Sequence, residues 1–151
     1  MRLQGHRLEV DLPPGWEGRI YRRRISAPGS TTQPVMHAAT FPLPEERGDF
    51  GAGAVEQMGP GDVFVSLVEY DPEAAHTALF ARRGMPRELA PESFGPNRLQ
   101  RAIPGQAGAQ FFFSEQGRAF CLYVVLGSFA DRSTLLVEAR AALETLRIEG
   151  S

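Results

Sequence analysis

The segment 118–126, Arg-Ala-Phe-Cys-Leu-Tyr-Val-Val-Leu, constrains the fold more than any other part of the chain. Successive side chains of a β-strand point to opposite faces, and here both alternating sets are apolar. A strand that is apolar on both faces needs cover on both, so we expect it at the centre of a sheet. Residues 110–113 precede it across the connection 114–117, which predicts an antiparallel hairpin.

The segment after this hairpin has the spacing of an amphipathic helix. Its apolar stripe is formed by Leu136, Ala139, Leu143 and Leu146, at intervals of three and four residues. We predict a long C-terminal helix that begins near residue 128 or 131, ends at Leu146-Arg-Ile148 and lies on the sheet. The Ser128-Phe-Ala-Asp131 sequence resembles a capping box, which favours a helix start there.

Five further segments have the alternation or the β-branched content of strands. They are residues 7–12, 18–25, 35–41, 63–70 and 98–103. Segment 63–70 is nearly continuously apolar, which predicts a second central strand. Segment 18–25 has charges on both faces, which favours an edge position where charge blocks unwanted pairing.

The connections complete the predicted architecture. Asp71-Pro-Glu73 has the N-cap and proline of a short helix start, and residues 42–62 form a long connection rich in glycine and proline. Strands outnumber helices and do not alternate with them, which is typical of α+β proteins. We predict a single α+β domain over residues 1–151, with a largely antiparallel sheet of about six or seven strands and the long C-terminal helix on one face.

The basic residues exclude several chemistries. All 16 are arginine, a composition typical of a GC-rich genome. Without lysine the chain cannot form a Schiff base with a substrate or with pyridoxal phosphate, and it lacks the lysine of a Walker A loop. The net charge of −2 gives no general attraction to nucleic acid, so we expect no nucleic-acid partner.

The sequence shows neither a membrane-spanning segment nor a secretory signal, and its cysteine content is low. No apolar run approaches the ~20 residues of a membrane span, and no secretory segment follows Met1. We therefore expect a cytoplasmic protein without membrane insertion. Cys121 is the sole cysteine, which rules out an internal disulfide and a cysteine-based zinc cluster, and its mid-strand position predicts a buried structural thiol. We predict no cofactor and no metal.

The strongest local charge feature is Arg22-Arg-Arg24, with Arg19 close by. Strand alternation places Arg22 and Arg24 on one face and Arg19 on the other. We predict a partner-binding surface formed by Arg19, Arg22, Arg24 and, from the long connection, Phe50. Reversing the charges of Arg22 and Arg24 should leave the fold intact and weaken partner binding.

An alternative function is a small-molecule enzyme with a pocket under the 42–62 connection. It would use His37 or His76 with a carboxylate such as Glu73. Glu73 and His76 have the spacing found in di-iron bundles, but such a site needs a second motif on a facing helix. His37 lies on the expected core face of its strand, where a packed, hydrogen-bonded histidine is the competing interpretation.

The order of elements resembles the Mog1/PsbP-like fold. The resemblance lies in a short N-terminal strand that runs into Leu12-Pro-Pro-Gly-Trp16, a strand-rich middle, and a closing strand and helix that end at Leu146-Arg-Ile148. Members of that group look mostly like binding and assembly proteins rather than enzymes. The resemblance implies a non-enzymatic module that holds a protein partner or another copy of itself, and no functional residue is carried over because no motif matches.

Overall fold

The computed structural model describes residues 1–22, 32–45 and 48–150. The strands in these ranges are β1 (Arg2–Gly5), β2 (Leu8–Asp11), β3 (Glu17–Arg22), β4 (Pro34–Ala39), β5 (Val63–Tyr70), β6 (Ala107–Glu115), β7 (Arg118–Leu126) and β8 (Arg147–Ile148). One α-helix, α1 (Arg132–Leu143), lies between β7 and β8. None of the described helices is long and apolar enough to cross a bilayer.

The strands form two antiparallel sheets. The larger sheet has the order β3-β4-β5-β7-β6, and the smaller has the order β1-β2-β8. The α+β class and the antiparallel pairing are confirmed, whereas the prediction of one sheet is wrong. All nine residues of β7 are buried, and β5 beside it is buried except at Tyr70, as expected for strands that are apolar on both faces. β3 lies at the end of the larger sheet, which agrees with its charged pattern.

The C-terminal helix is shorter than predicted. It has 12 residues, close to the average for globular proteins. After Leu143 the chain leaves the helix, and Ile148 pairs with Leu8 in the smaller sheet. Leu146, which we counted toward the helical stripe, is two residues from Ile148, so the two side chains also fit the period of a strand. Ser128 does not cap the helix but accepts a hydrogen bond from the Asp131 N–H at 3.2 Å.

Two other segments differ from the prediction. Residues 98–103 are not a strand, because the chain forms a 3₁₀ helix at Pro96–Arg98 and continues irregularly. Its Leu99 and Ile103 still pack on the larger sheet, which explains their apolar spacing. The first strand, β1, was not predicted, because its four residues show only weak alternation. The short helix expected after Asp71 is a 3₁₀ helix at Pro72–His76.

Both faces of the larger sheet are covered. Helix α1 and the β1–β2 hairpin pack on one face and form the main core with side chains such as Met36, Leu67 and Leu122. The connection between β4 and β5 covers the opposite face, where Phe64 and Tyr123 are buried. Cys121 is buried in the sheet as predicted, and burial raises the pKa of its thiol to about 12.

Candidate functional site

The turn between β1 and β2 has an unusual backbone. Gly5 pairs with Leu8, so His6 and Arg7 form a two-residue hairpin turn. Their φ angles are 49° and 61°, the left-handed pattern of a type I′ turn, where Asn-Gly is the usual sequence. The left-handed conformation costs a residue with a Cβ roughly 1–2 kcal/mol. Such strain persists only where the surroundings hold it, and it clusters at functional sites.

Arg118 holds this strained turn. Its Nη2 donates a hydrogen bond to the carbonyl oxygen of His6 at 3.1 Å, and its Nη1 donates to that of Arg7 at 3.1 Å. Nη1 also donates to the carbonyl oxygen of Glu149 at 2.7 Å, and the Glu149 N–H donates to the same Arg7 oxygen at 3.0 Å. One side chain of the larger sheet thus fixes both turn carbonyls of the smaller sheet.

Glu69 neutralises Arg118. The Arg118 Nε lies 3.0 Å from Glu69 Oε2, and its Nη2 lies 2.6 Å from Oε1, which makes the pair bidentate. Both side chains are almost fully buried, at 6% and 5% exposure. With the three backbone contacts, all five N–H groups of the guanidinium are used. Arg118 therefore acts as a structural tie and has no donor left for a ligand.

A cavity of about 310 Å³ lies against the turn and the buried pair. His6, Arg7 and Arg22 line it, together with Glu69 and Arg118. The Arg22 Nε donates to His6 Nδ1 at 3.2 Å, which places a neutral imidazole's proton on Nε2. Arg7 is exposed, and its guanidinium has no partner among the described residues. Because Arg118 and Glu69 cancel, the cavity takes a positive charge from Arg7 and Arg22.

The predicted partner-binding residues do not stay together. Arg22 lines the cavity, and Arg24 lies outside the described residues. Arg19 instead contacts His37 Nδ1 through Nε at 3.2 Å and Nη2 at 3.0 Å. Phe50 is half-buried, and its ring meets that of Tyr123 edge to face, with 5.6 Å between centroids.

The histidines proposed for the enzymatic alternative also lie apart. His37 is fully buried; its Nδ1 accepts from Arg19, so Nε2 carries the proton and lies 3.2 Å from the Asp49 carbonyl oxygen. Burial, and secondarily the charge of Arg19, lowers the pKa of His37 to about 4, although the Asp49 contact opposes the shift. His76 and Glu73 are exposed on the Pro72–His76 helix. His76 lines a second cavity, and His37 is not among its described lining residues.

Sequence reasoning missed the turn and the buried pair. The turn was hidden because Arg7 was counted as the start of a strand. The available signal was Gly5-His-Arg-Leu8, two residues between alternating segments. Glu69 was a second signal, because a carboxylate inside an otherwise apolar strand is seldom buried without a partner. Arg118, at the start of β7, supplies that partner.

Comparisons with other proteins do not assign a family. No family model matches the sequence, and no curated protein or solved structure is significantly similar to it. The resemblance to the Mog1/PsbP-like fold therefore stays a prediction. Across residues 1–22, 32–45 and 48–150, no three His, Cys, Asp or Glu side chains are grouped so that they could hold a metal ion.

Proposed function

We propose that this chain is a non-enzymatic binding module that holds an acidic segment of a protein partner in the arginine-lined cavity. The observation that carries this proposal is the arrangement of Arg7 and Arg22 around a cavity whose buried Arg118 is already neutralised. Guanidinium groups bind carboxylates through paired N–H donors, and such charge-assisted hydrogen bonds are about twice as strong as neutral ones. A carboxylate ligand at this cavity would therefore find its donors on Arg7 and Arg22 and not on Arg118.

The strained turn supports the same proposal. An Asn-Gly turn would join β1 and β2 with less strain, but it would remove both the imidazole of His6 and the guanidinium of Arg7. The chain instead keeps two charged or polar side chains in left-handed conformations at the cavity wall. Loss of stability in return for a positioned charge is the pattern expected of a binding site.

Exposure favours a macromolecular ligand over an enclosed substrate. His6, Arg7 and Arg22 are all exposed, so a ligand would meet them at the protein surface. The enzymatic alternative needs a histidine with a free ring nitrogen, because a general base must reach the proton that it removes. His37 uses both ring nitrogens internally. The carboxylates that line a cavity with the other two histidines are also engaged, Glu69 with Arg118 and Glu115 with the Met85 N–H, so the described geometry supports binding more than catalysis.

Binding of a fluorescent triglutamate peptide, followed by anisotropy, tests the proposal. The double variant Arg7→Glu with Arg22→Glu should weaken binding by about tenfold or more, because two partly exposed charge contacts are reversed. Arg98→Glu with Arg101→Glu is the matched control, since it changes the net charge equally at exposed arginines that are not among the described lining residues of the cavity. Absence of binding to the unaltered protein, or equal weakening in both double variants, would overturn the proposal.

A further inference from the structure

A second cavity adjoins the arginine-lined one. Its volume is about 330 Å³, and it is lined by His76, Arg83, Ser114, Glu115 and Gln116, among others. Gly117, in the turn between β6 and β7, lines both cavities. The Pro72–His76 helix contributes a residue to each cavity: Pro72 lines the first and His76 lines the second.

The free charges of the two cavities have the same predominant sign. Arg83 is exposed, and its guanidinium has no partner among the described residues. The Glu115 carboxylate opposes it but already accepts a hydrogen bond from the Met85 N–H at 2.9 Å. With the mutually neutralised Arg118 and Glu69 set aside, the described lining residues carry three arginines, Arg7, Arg22 and Arg83, and one carboxylate, Glu115. The described lining of the two cavities is therefore cationic, although the whole chain has a net charge of −2.

We propose that the two cavities form one groove that binds an extended acidic peptide, with carboxylates of the peptide on both sides of Gly117. This inference rests on the proposed function and adds the length and path of the ligand. Each cavity alone has the volume of a small-ligand pocket, for which the usual range is roughly 300–1,000 Å³. An occupant of both must therefore be a segment of several residues, and an extended chain advances about 3.3 Å per residue.

The lining favours a peptide over a single-stranded nucleic acid. Proteins that bind single strands place aromatic side chains where bases can stack, in addition to their positive charge. No Phe, Tyr or Trp side chain is among the described residues that line either cavity; the aromatic rings there are the imidazoles of His6 and His76. The described lining is thus rich in guanidinium donors and poor in large stacking surfaces, which suits the carboxylates of a peptide.

Gly117 provides a way to separate the two cavities. Its φ is 76°, and a Cβ at this position would meet no atom within 4 Å, so an added side chain would enter open space at the junction. Asn tolerates the left-handed conformation better than most residues, so Gly117→Asn should keep the turn and obstruct the groove. Gly105→Asn is the matched control: it has a φ of 86°, equally open space, and is not among the described residues that line either cavity.

The experiment compares triglutamate with octaglutamate by anisotropy. Arg83→Gln should weaken octaglutamate binding by about three- to fivefold, as expected for the loss of a partly exposed charge contact, and leave triglutamate binding unchanged. Because Gly117 also lines the first cavity, Gly117→Asn should weaken octaglutamate binding by a larger factor than triglutamate binding. Gly105→Asn should change neither. Octaglutamate can bind the unaltered protein more tightly than triglutamate simply because it can place its residues on one cavity in several overlapping registers. The test therefore depends on the effects of the variants and not on the ratio of the two affinities for the unaltered protein.

The outcomes separate this inference from the proposed function. Triglutamate binding that depends on Arg7 and Arg22, with octaglutamate binding unaffected by Gly117→Asn and Arg83→Gln, would overturn the groove and leave the first cavity. Loss of octaglutamate binding in Gly105→Asn to the same extent would also overturn the groove. Tighter binding of octathymidylate than of octaglutamate would overturn the peptide as ligand. Absence of triglutamate binding would overturn both proposals.

Discussion

The guanidinium of Arg118 on β7 lies 2.6 Å from the carboxylate of Glu69 on β5, and this buried pair ties the two sheets together. Glu69 pairs in register with Phe120, so Arg118 is its diagonal neighbour across the strands. The remaining donors of Arg118 reach the turn between β1 and β2 and the carbonyl oxygen of Glu149, just after β8. Every strand of the smaller sheet is thus linked to one side chain of the larger.

Removal of one member of this pair should be strongly destabilising. Glu69→Leu leaves the Arg118 charge buried without a counter-ion, and we expect the free energy of unfolding to fall by about 3–5 kcal/mol. Urea unfolding followed by the fluorescence of Trp16 measures the change. Glu69→Leu with Arg118→Leu removes both charges, so its loss should be smaller than the sum of the two single losses. Additive losses would show that the two side chains are not coupled.

The turn between β1 and β2 should be more stable with its usual sequence. We expect His6→Asn with Arg7→Gly to raise the free energy of unfolding by about 1 kcal/mol, because Asn-Gly suits the left-handed conformation. The same double variant should lose most of its triglutamate binding. Gln116→Asn is the control, since Gln116 also has a positive φ, at 55°, and precedes a glycine in a hairpin turn. It should leave triglutamate binding intact, and a similar loss there would contradict a specific role for the first turn.

Acid should destabilise the protein through His37. Its pKa is about 4 in the folded state and about 6.5 when unfolded, so the unfolded chain binds more protons between these values. The free energy of unfolding should therefore be highest above pH 6.5 and fall by about 3 kcal/mol as the pH drops to 4. Urea unfolding at several pH values measures this slope. His37→Gln should be less stable at neutral pH and lose this share of the slope; an unchanged slope would assign the effect to other groups.

Gly127 should be intolerant of any side chain. A Cβ there would overlap the carbonyl oxygen of Gly59 and would lie 3.2 Å from that of Asp62, which itself accepts the Gly127 N–H at 2.8 Å. Both obstacles are backbone atoms, so we expect Gly127→Ala to lower the free energy of unfolding by about 3 kcal/mol. Gly61→Ala, in the facing turn, meets no atom within 4 Å and should change stability by less than about 0.5 kcal/mol. Equal effects would contradict the close approach.

Local pattern was sufficient for the central strands and insufficient near the ends of the chain. Val63–Tyr70 and Arg118–Leu126 have the predicted boundaries, because segments that are apolar on both faces have few alternatives to a central strand. The spacing of residues 146–148 is compatible with a helix and with a strand. They form a strand because β2 has an edge with which Arg147 and Ile148 pair. For residues 98–103, the apolar spacing reflected packing of a loop on the sheet.

The sequence by itself determined the α+β class, the two central strands, the burial of Cys121 and the absence of lysine chemistry. These follow from composition and from periods of a few residues. Only the tertiary structure brought Arg118 to His6, which is 112 positions away, and placed Arg22 beside them at one cavity. The physical reason is that a charge within a strand has no defined partner until strand pairing and sheet packing are complete. The cavity and its strained turn are products of those long-range contacts.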